Sequence, residues 1–230
     1  MTDDTMMNES VTVVSPTAAQ LSIAAVVAYQ ILLAALLFIR SDLDPSWQTI
    51  SVYAIGRHGW IMSLAFLLSA VSYGALFVAL RSQIRGVSGK LGLGLLLICT
   101  IGTAGAGLFV TDPIETPQNA LSIAGTLHTI CASSALLLLP FAALLINLSV
   151  GRKNQGWSSA RRLLLWTAGL PLLGLVVFAV AMVNVVPVDD NNVPRYGPGV
   201  TIGWPNRVLL LVYMAWLITV AWQAIKLRDK

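Results

Sequence analysis

Charge is scarce in this chain. Asp, Glu, Lys and Arg make up 10% of its 230 residues, where an ordinary soluble domain carries about 25%. So thin a supply does not cover the surface of a water-soluble domain. It is also excluded from six long apolar runs, 18–39, 60–80, 91–110, 121–149, 163–186 and 206–225, the last admitting only Arg207 at its start. Cysteine is almost absent. Cys99 and Cys131 both fall inside these runs without CxxC spacing, which removes a disulfide framework or zinc site and leaves two small buried hydrophobes. Histidine occurs twice, as His58 and His128. No HExxH, GxSxG or P-loop pattern is present, so no ready-made metalloprotease, serine-hydrolase or nucleotide site is offered. No charge stands in the middle of a run, which argues against ion-coupled transport. The sequence therefore predicts no metal and no cofactor.

Runs of about 20 apolar residues match a hydrocarbon core about 30 Å thick. Backbone groups in lipid must bond within their own segment, so the runs predict helices. They lack the two-residue alternation of a membrane β-barrel. The fold class expected is all-α: a polytopic membrane protein with a bundle of six transmembrane helices over 18–226. Residues 1–17 read as a disordered cytoplasmic tail, with no basic n-region or cleavage site of a secretory signal. Residues 227–230 read as a second cytoplasmic tail.

The basic residues sort by side. Arg81, Arg85, Lys90, Arg152, Lys153, Arg161, Arg162, Lys226, Arg228 and Lys230 share one face, leaving Arg40, Arg57, Arg195 and Arg207 for the other. Excess Lys and Arg in short loops marks the cytoplasmic side. The expectation is a plasma (inner) membrane protein with both termini cytoplasmic. The net charge of +4 reflects this sorting and does not predict nucleic-acid binding.

The longest polar interruption is Ser41–Trp60, on the outer side. Asp44-Pro45 resembles a helix start. Trp47, Ile50 and Tyr53, spaced by three, share one helical face. A short helix lying at the membrane interface is expected there, ended by Gly56. Thr116-Pro117 predicts the start of the fourth helix, which places His128 about 16 Å along it.

Ionisable groups at membrane depth face a bundle interior or a wet cavity. His58, Asp112, His128 and Arg207 each sit near the outer end of a different helix. Asp112 and His128 are the candidate acid–base pair. Arg207, with His58, Ser51, Tyr53 and Trp204, is the candidate ligand-binding set, with Arg207 suited to an anionic group. Two histidines and a carboxylate also match a divalent-metal donor set, and a fully paired structural cluster is the competing reading. Ser51 lies seven residues before His58, a weak nucleophile pairing because Gly56 intervenes.

Ile50-Ser51-Val52-Tyr53, Gly56, Gly59-Trp60, Thr111-Asp112-Pro113, His128 and Gly203-Trp204-Pro205-Asn206-Arg207, in this order across six spans, resemble the prokaryotic integral membrane family known as domain of unknown function 998. The resemblance covers roughly 20–225 and implies a six-helix membrane protein without a settled activity. By position it adds Ser51, Tyr53, Gly56, Asp112, His128 and Arg207 as family-pattern residues. The function expected is a polar, outward-facing pocket that binds or handles a membrane lipid or small amphiphile. The alternatives are an enzyme using the His128–Asp112 pair, and a structural or sensory subunit.

Overall fold

A computed structural model describes residues 15–150, 155–187 and 195–226. The two terminal tails, Arg152, Lys153, Asp189, Asp190, Arg228 and Lys230 lie wholly or mostly outside the described residues. The six predicted runs are helices long and apolar enough to span a membrane. They are α1 (Pro16–Ile39), α2 (Gly59–Leu80), α3 (Val87–Leu108), α4 (Ile123–Val150), α5 (Arg161–Val185) and α6 (Gly203–Lys226). A single helical turn, Gln155–Ser158, precedes α5, and no strand occurs among the described residues.

Each helix packs on its neighbours in the chain, and α1 packs on α6 to close the ring. Ser15 caps α1, accepting the Ala18 N–H, with Pro16 at the first helical position. Interhelical bonds follow from the need to satisfy polar groups away from water. Ser22 on α1 and Ser72 on α2 each donate to the other's carbonyl at 2.9 Å. At the end remote from Ser41–Trp60, Asn147 Nδ2 donates to Leu164 O at 2.5 Å, and its Oδ1 accepts from Trp216 Nε1 at 3.4 Å.

Pro140 lies inside α4. Proline has no N–H for the carbonyl four residues earlier, here Leu136. Tyr213 on α6 donates its hydroxyl to that carbonyl at 2.6 Å. The residue that would break α4 thereby becomes a bonding point for α6.

The loop between α1 and α2 differs from its sequence expectation. Pro45 opens a turn, not a helix: Asp44 Oδ1 accepts the Ser46 N–H at 2.9 Å, which stops the chain two residues on. Helix begins only at Ile50 and is a 3₁₀ segment, Ile50–Ala54. Its Ile50 and Tyr53, and Trp47 before it, are buried, so this face packs into the protein. Trp47 joins Val186, Val200 and Ile202 in a small apolar cluster over the same end of the bundle. Gly56, with φ of +87°, turns the chain into α2.

Candidate functional site

Three side chains fix the 3₁₀ segment. Arg40, at the end of α1, donates from Nη1 to Ile55 O at 2.6 Å and from Nε and Nη2 to Asp42, at 2.9 and 2.8 Å. The Arg40 guanidinium holds the exposed Asp42 carboxyl below the usual carboxylate range. Asn206 Oδ1, on α6, accepts the Ile50 N–H at 3.1 Å. Arg207 Nη1 donates to Pro45 O, Gln48 O and Gly203 O at 3.0, 2.8 and 3.0 Å. Gly203 N donates to Ser46 O at 2.8 Å, an approach so close that a Cβ on Gly203 would collide with Pro45 O. Glycine is required where backbones meet in this way.

The α3–α4 connection positions the histidine. Ser122 begins α4, its hydroxyl accepting the Gly125 N–H at 2.9 Å. Pro117 leads instead into a 3₁₀ turn, Gln118–Ala120. His128 therefore lies five residues into α4, about 7.5 Å along it, shallower than the sequence suggested. Because α4 runs back along α3, its first turns face the last carbonyls of α3, which have no partner within their own helix. His128 Nδ1 lies 3.0 Å from Ala106 O and 2.8 Å from Phe109 O. Carbonyl oxygens only accept, so Nδ1 carries the proton. In the neutral ring Nε2 is then an acceptor, and Ser51 Oγ donates to it at 3.0 Å. Phe66 packs edge-on to the ring at 5.6 Å, and His128 is buried.

Asp112 has a different task from the expected one. Its Oδ2 accepts the Ser122 N–H at 2.7 Å, at the positive end of the α4 dipole. A Cβ on Gly125 would collide with this carboxylate. Both nitrogens of His128 are committed to Ala106, Phe109 and Ser51, so Asp112 does not orient the ring. His58 stands at the N-cap of α2 without a side-chain capping bond. Among the described residues, no three His, Cys, Asp or Glu side chains group as metal ligands.

Two cavities flank the 3₁₀ segment. A smaller cavity of about 70 Å³ inside the bundle has a mostly apolar lining into which Ser51, Ser69, Tyr73, Thr103, Asn206 and Tyr213 bring polar groups. A larger apolar groove, about 320 Å³, lies between α1 and α6, with Leu33, Ala34, Leu37, Val208 and Leu211 as its wall. Arg207, Tyr53 and Trp204 line it near the start of α6, and Gln30 lines it deeper along α1. The Arg207 guanidinium lies 5.3 Å from the Tyr53 ring centre and 5.8 Å from that of Trp204. Burial pushes the Tyr53 hydroxyl above its ordinary pKa. The Arg207 guanidinium beside it acts against that rise, and Gln30 Nε2 is buried without a hydrogen-bond partner.

Ile50 lines both spaces. In a 3₁₀ helix residues three apart eclipse one another, so Ile50 and Tyr53 share the groove side while Ser51 is turned to the smaller cavity. Arg207, Tyr53 and Trp204 thus come together at the groove, and Ser51, which bonds His128, lines the smaller cavity. His128, Asp112 and His58 join neither lining. Gln30, Asn206 and Arg40 were not singled out from sequence. A glutamine at the middle of the first apolar run was the available signal for Gln30.

The model of the family described as a protein of unknown function, DUF998, matches residues 22–223. The chain belongs to the DUF998 family. No curated protein and no solved structure matches. The DUF998 match spans all six helices and both cavities, and the family description assigns no chemistry to either.

Proposed function

We propose that the chain holds an acidic amphiphile from the bilayer in the groove between α1 and α6, with the head on Arg207 and the acyl chain along Leu33, Ala34 and Leu211. One observation carries this reading: a guanidinium with unused donors, Arg207, stands at the mouth of an otherwise apolar groove. All the bonds from Arg207 to carbonyls use Nη1, which leaves Nη2 and Nε as donors for a phosphate or carboxylate. Gln30 Nε2, deeper in the groove, has no partner, an expensive state for a buried polar atom. The volume falls within the range of small-molecule sites. Ala34, Leu37, Val208 and Leu211 are exposed on the outside of the bundle, where acyl chains would lie. Under this reading the chain sits in the plasma membrane with both termini cytoplasmic, and the groove head faces outward.

The test is a thermal melt of purified protein with added phosphatidylglycerol or phosphatidylcholine. A ligand at 100 times its Kd stabilises by about 2.7 kcal/mol. Phosphatidylglycerol should raise the melting temperature by several degrees more than phosphatidylcholine. Ala34→Trp, which fills the groove from an exposed position, should remove that difference while leaving the lipid-free melt nearly unchanged. Equal shifts with both lipids, or a difference that persists in Ala34→Trp, would refute the groove as the binding site.

A further inference from the structure

We propose that Ser51 and His128 form a nucleophile–base pair that transfers acyl groups from an ester-bearing amphiphile. For its substrate this rests on the groove reading; its chemistry rests on separate geometry. The pair needs a base with a free lone pair directed at the hydroxyl, a fixed ring orientation, and space beside the oxygen. Ser51 Oγ lies 3.0 Å from His128 Nε2. The two α3 carbonyls at Nδ1 fix the ring and its tautomer. They also sit at the negative end of a helix dipole, where they would stabilise the imidazolium formed when the ring takes a proton. Together they fill the place that a carboxylate occupies in a catalytic triad.

The 70 Å³ cavity that Ser51 lines supplies the space. Asn206 lines it beside Ser51. Its Oδ1 is committed to the Ile50 N–H, so Nδ2 is the amide's remaining donor and is suited to a developing oxyanion. Ile50 is shared with the groove, so a groove-bound amphiphile lies one residue from the nucleophile. A histidine that only capped α3 would need neither a serine on Nε2 nor a cavity beside that serine.

The step balances as follows. Ser51 Oγ adds to the ester carbonyl carbon while its proton passes to His128 Nε2. The tetrahedral intermediate collapses, the carbon–alkoxide bond breaks, and His128 returns the proton to the departing alcohol. The acyl group stays on Ser51 as an ester. Water, or the hydroxyl of a second amphiphile, then attacks that ester with His128 again accepting the proton. The bond from the acyl carbon to Ser51 Oγ breaks, His128 Nε2 returns the proton to that oxygen, and a carboxylic acid or a new ester is released.

A small alkyl fluorophosphonate tests the pair without needing the groove. Wild-type protein in lipid nanodiscs would be incubated with it and the peptides mapped by mass spectrometry. The expected result is one phosphonyl adduct, on Ser51, absent in Ser51→Ala. His128→Gln keeps a donor for the α3 carbonyls but removes the base, and should slow labelling by about 100-fold or more. A folded wild type with no adduct on Ser51 overturns the proposal, and so does equal labelling in His128→Gln. If His128→Gln does not fold, the wild-type adduct map alone decides. The lipid-dependent melt on the same samples separates the two readings: a lipid shift without a Ser51 adduct sinks the pair and leaves the groove.

Discussion

Arg207→Ala is expected to lose stability and ligand together. The three carbonyls on Nη1, from Pro45, Gln48 and Gly203, would lose a charged donor in a poorly hydrated place. Unsatisfied buried acceptors make this a loss on the order of 3 kcal/mol, readable as a lower melting temperature without added lipid. The lipid-dependent increment should vanish as well, because the groove would have no cation at its head. Arg207→Lys separates the two effects. An ammonium keeps the charge but lacks the planar fork that serves carbonyls and ligand at once. It should keep part of the phosphatidylglycerol increment on a destabilised background. Arg207→Ala protein with a wild-type melt and a wild-type lipid increment would show that Arg207 neither anchors the loop nor heads the site.

Gly203→Ala is expected to destabilise although alanine is the better helix former. In a helix interior the exchange favours alanine by about 0.8–1 kcal/mol. Here the added Cβ would meet Pro45 O, lie 2.8 Å from Gln48 O and 3.0 Å from the Ser46 carbonyl carbon. These are backbone atoms in a loop already tied by Arg207, so they yield only by displacing the 3₁₀ segment. Overpacking of this kind costs about 1–3 kcal/mol, which reverses the sign. Gly94→Ala is the control, because a Cβ there meets nothing within 4 Å. The pair of melts should move in opposite directions. Stabilisation in Gly203→Ala would mean that the first loop does not sit against the start of α6.

The six spans were legible because exclusion of charge from 20 consecutive residues is a one-dimensional signal. The fourth run, read as 121–149, became Ile123–Val150. Helix type in the first loop was not legible: a spacing of three among Trp47, Ile50 and Tyr53 fits an α-helix and a 3₁₀ helix alike. The Asp44 turn preceding it depends on one side-chain bond. Asp112 and His128 were both visible as unusual residues near helix ends, but their partners were not. Ser51 and His128 are 77 residues apart, and only the antiparallel packing of α3 and α4 with the loop folded over them brings the two together. Asp112 went to the start of α4 because a free helix N-terminus lay nearer than the imidazole. Arg207 was legible as a cation at a helix mouth, whereas its use of one nitrogen for three carbonyls needed the loop's path.

The proposed ligand is an acidic amphiphile seated on Arg207 in the α1–α6 groove. Native mass spectrometry with lipid analysis, on protein extracted in patches of its own membrane, tests it most directly. Wild-type protein should retain one acidic amphiphile class well above its share of the surrounding lipid, and Ala34→Trp should retain none of the excess. Wild type carrying lipids in the proportions of the bulk membrane, identical to those on Ala34→Trp, would contradict it.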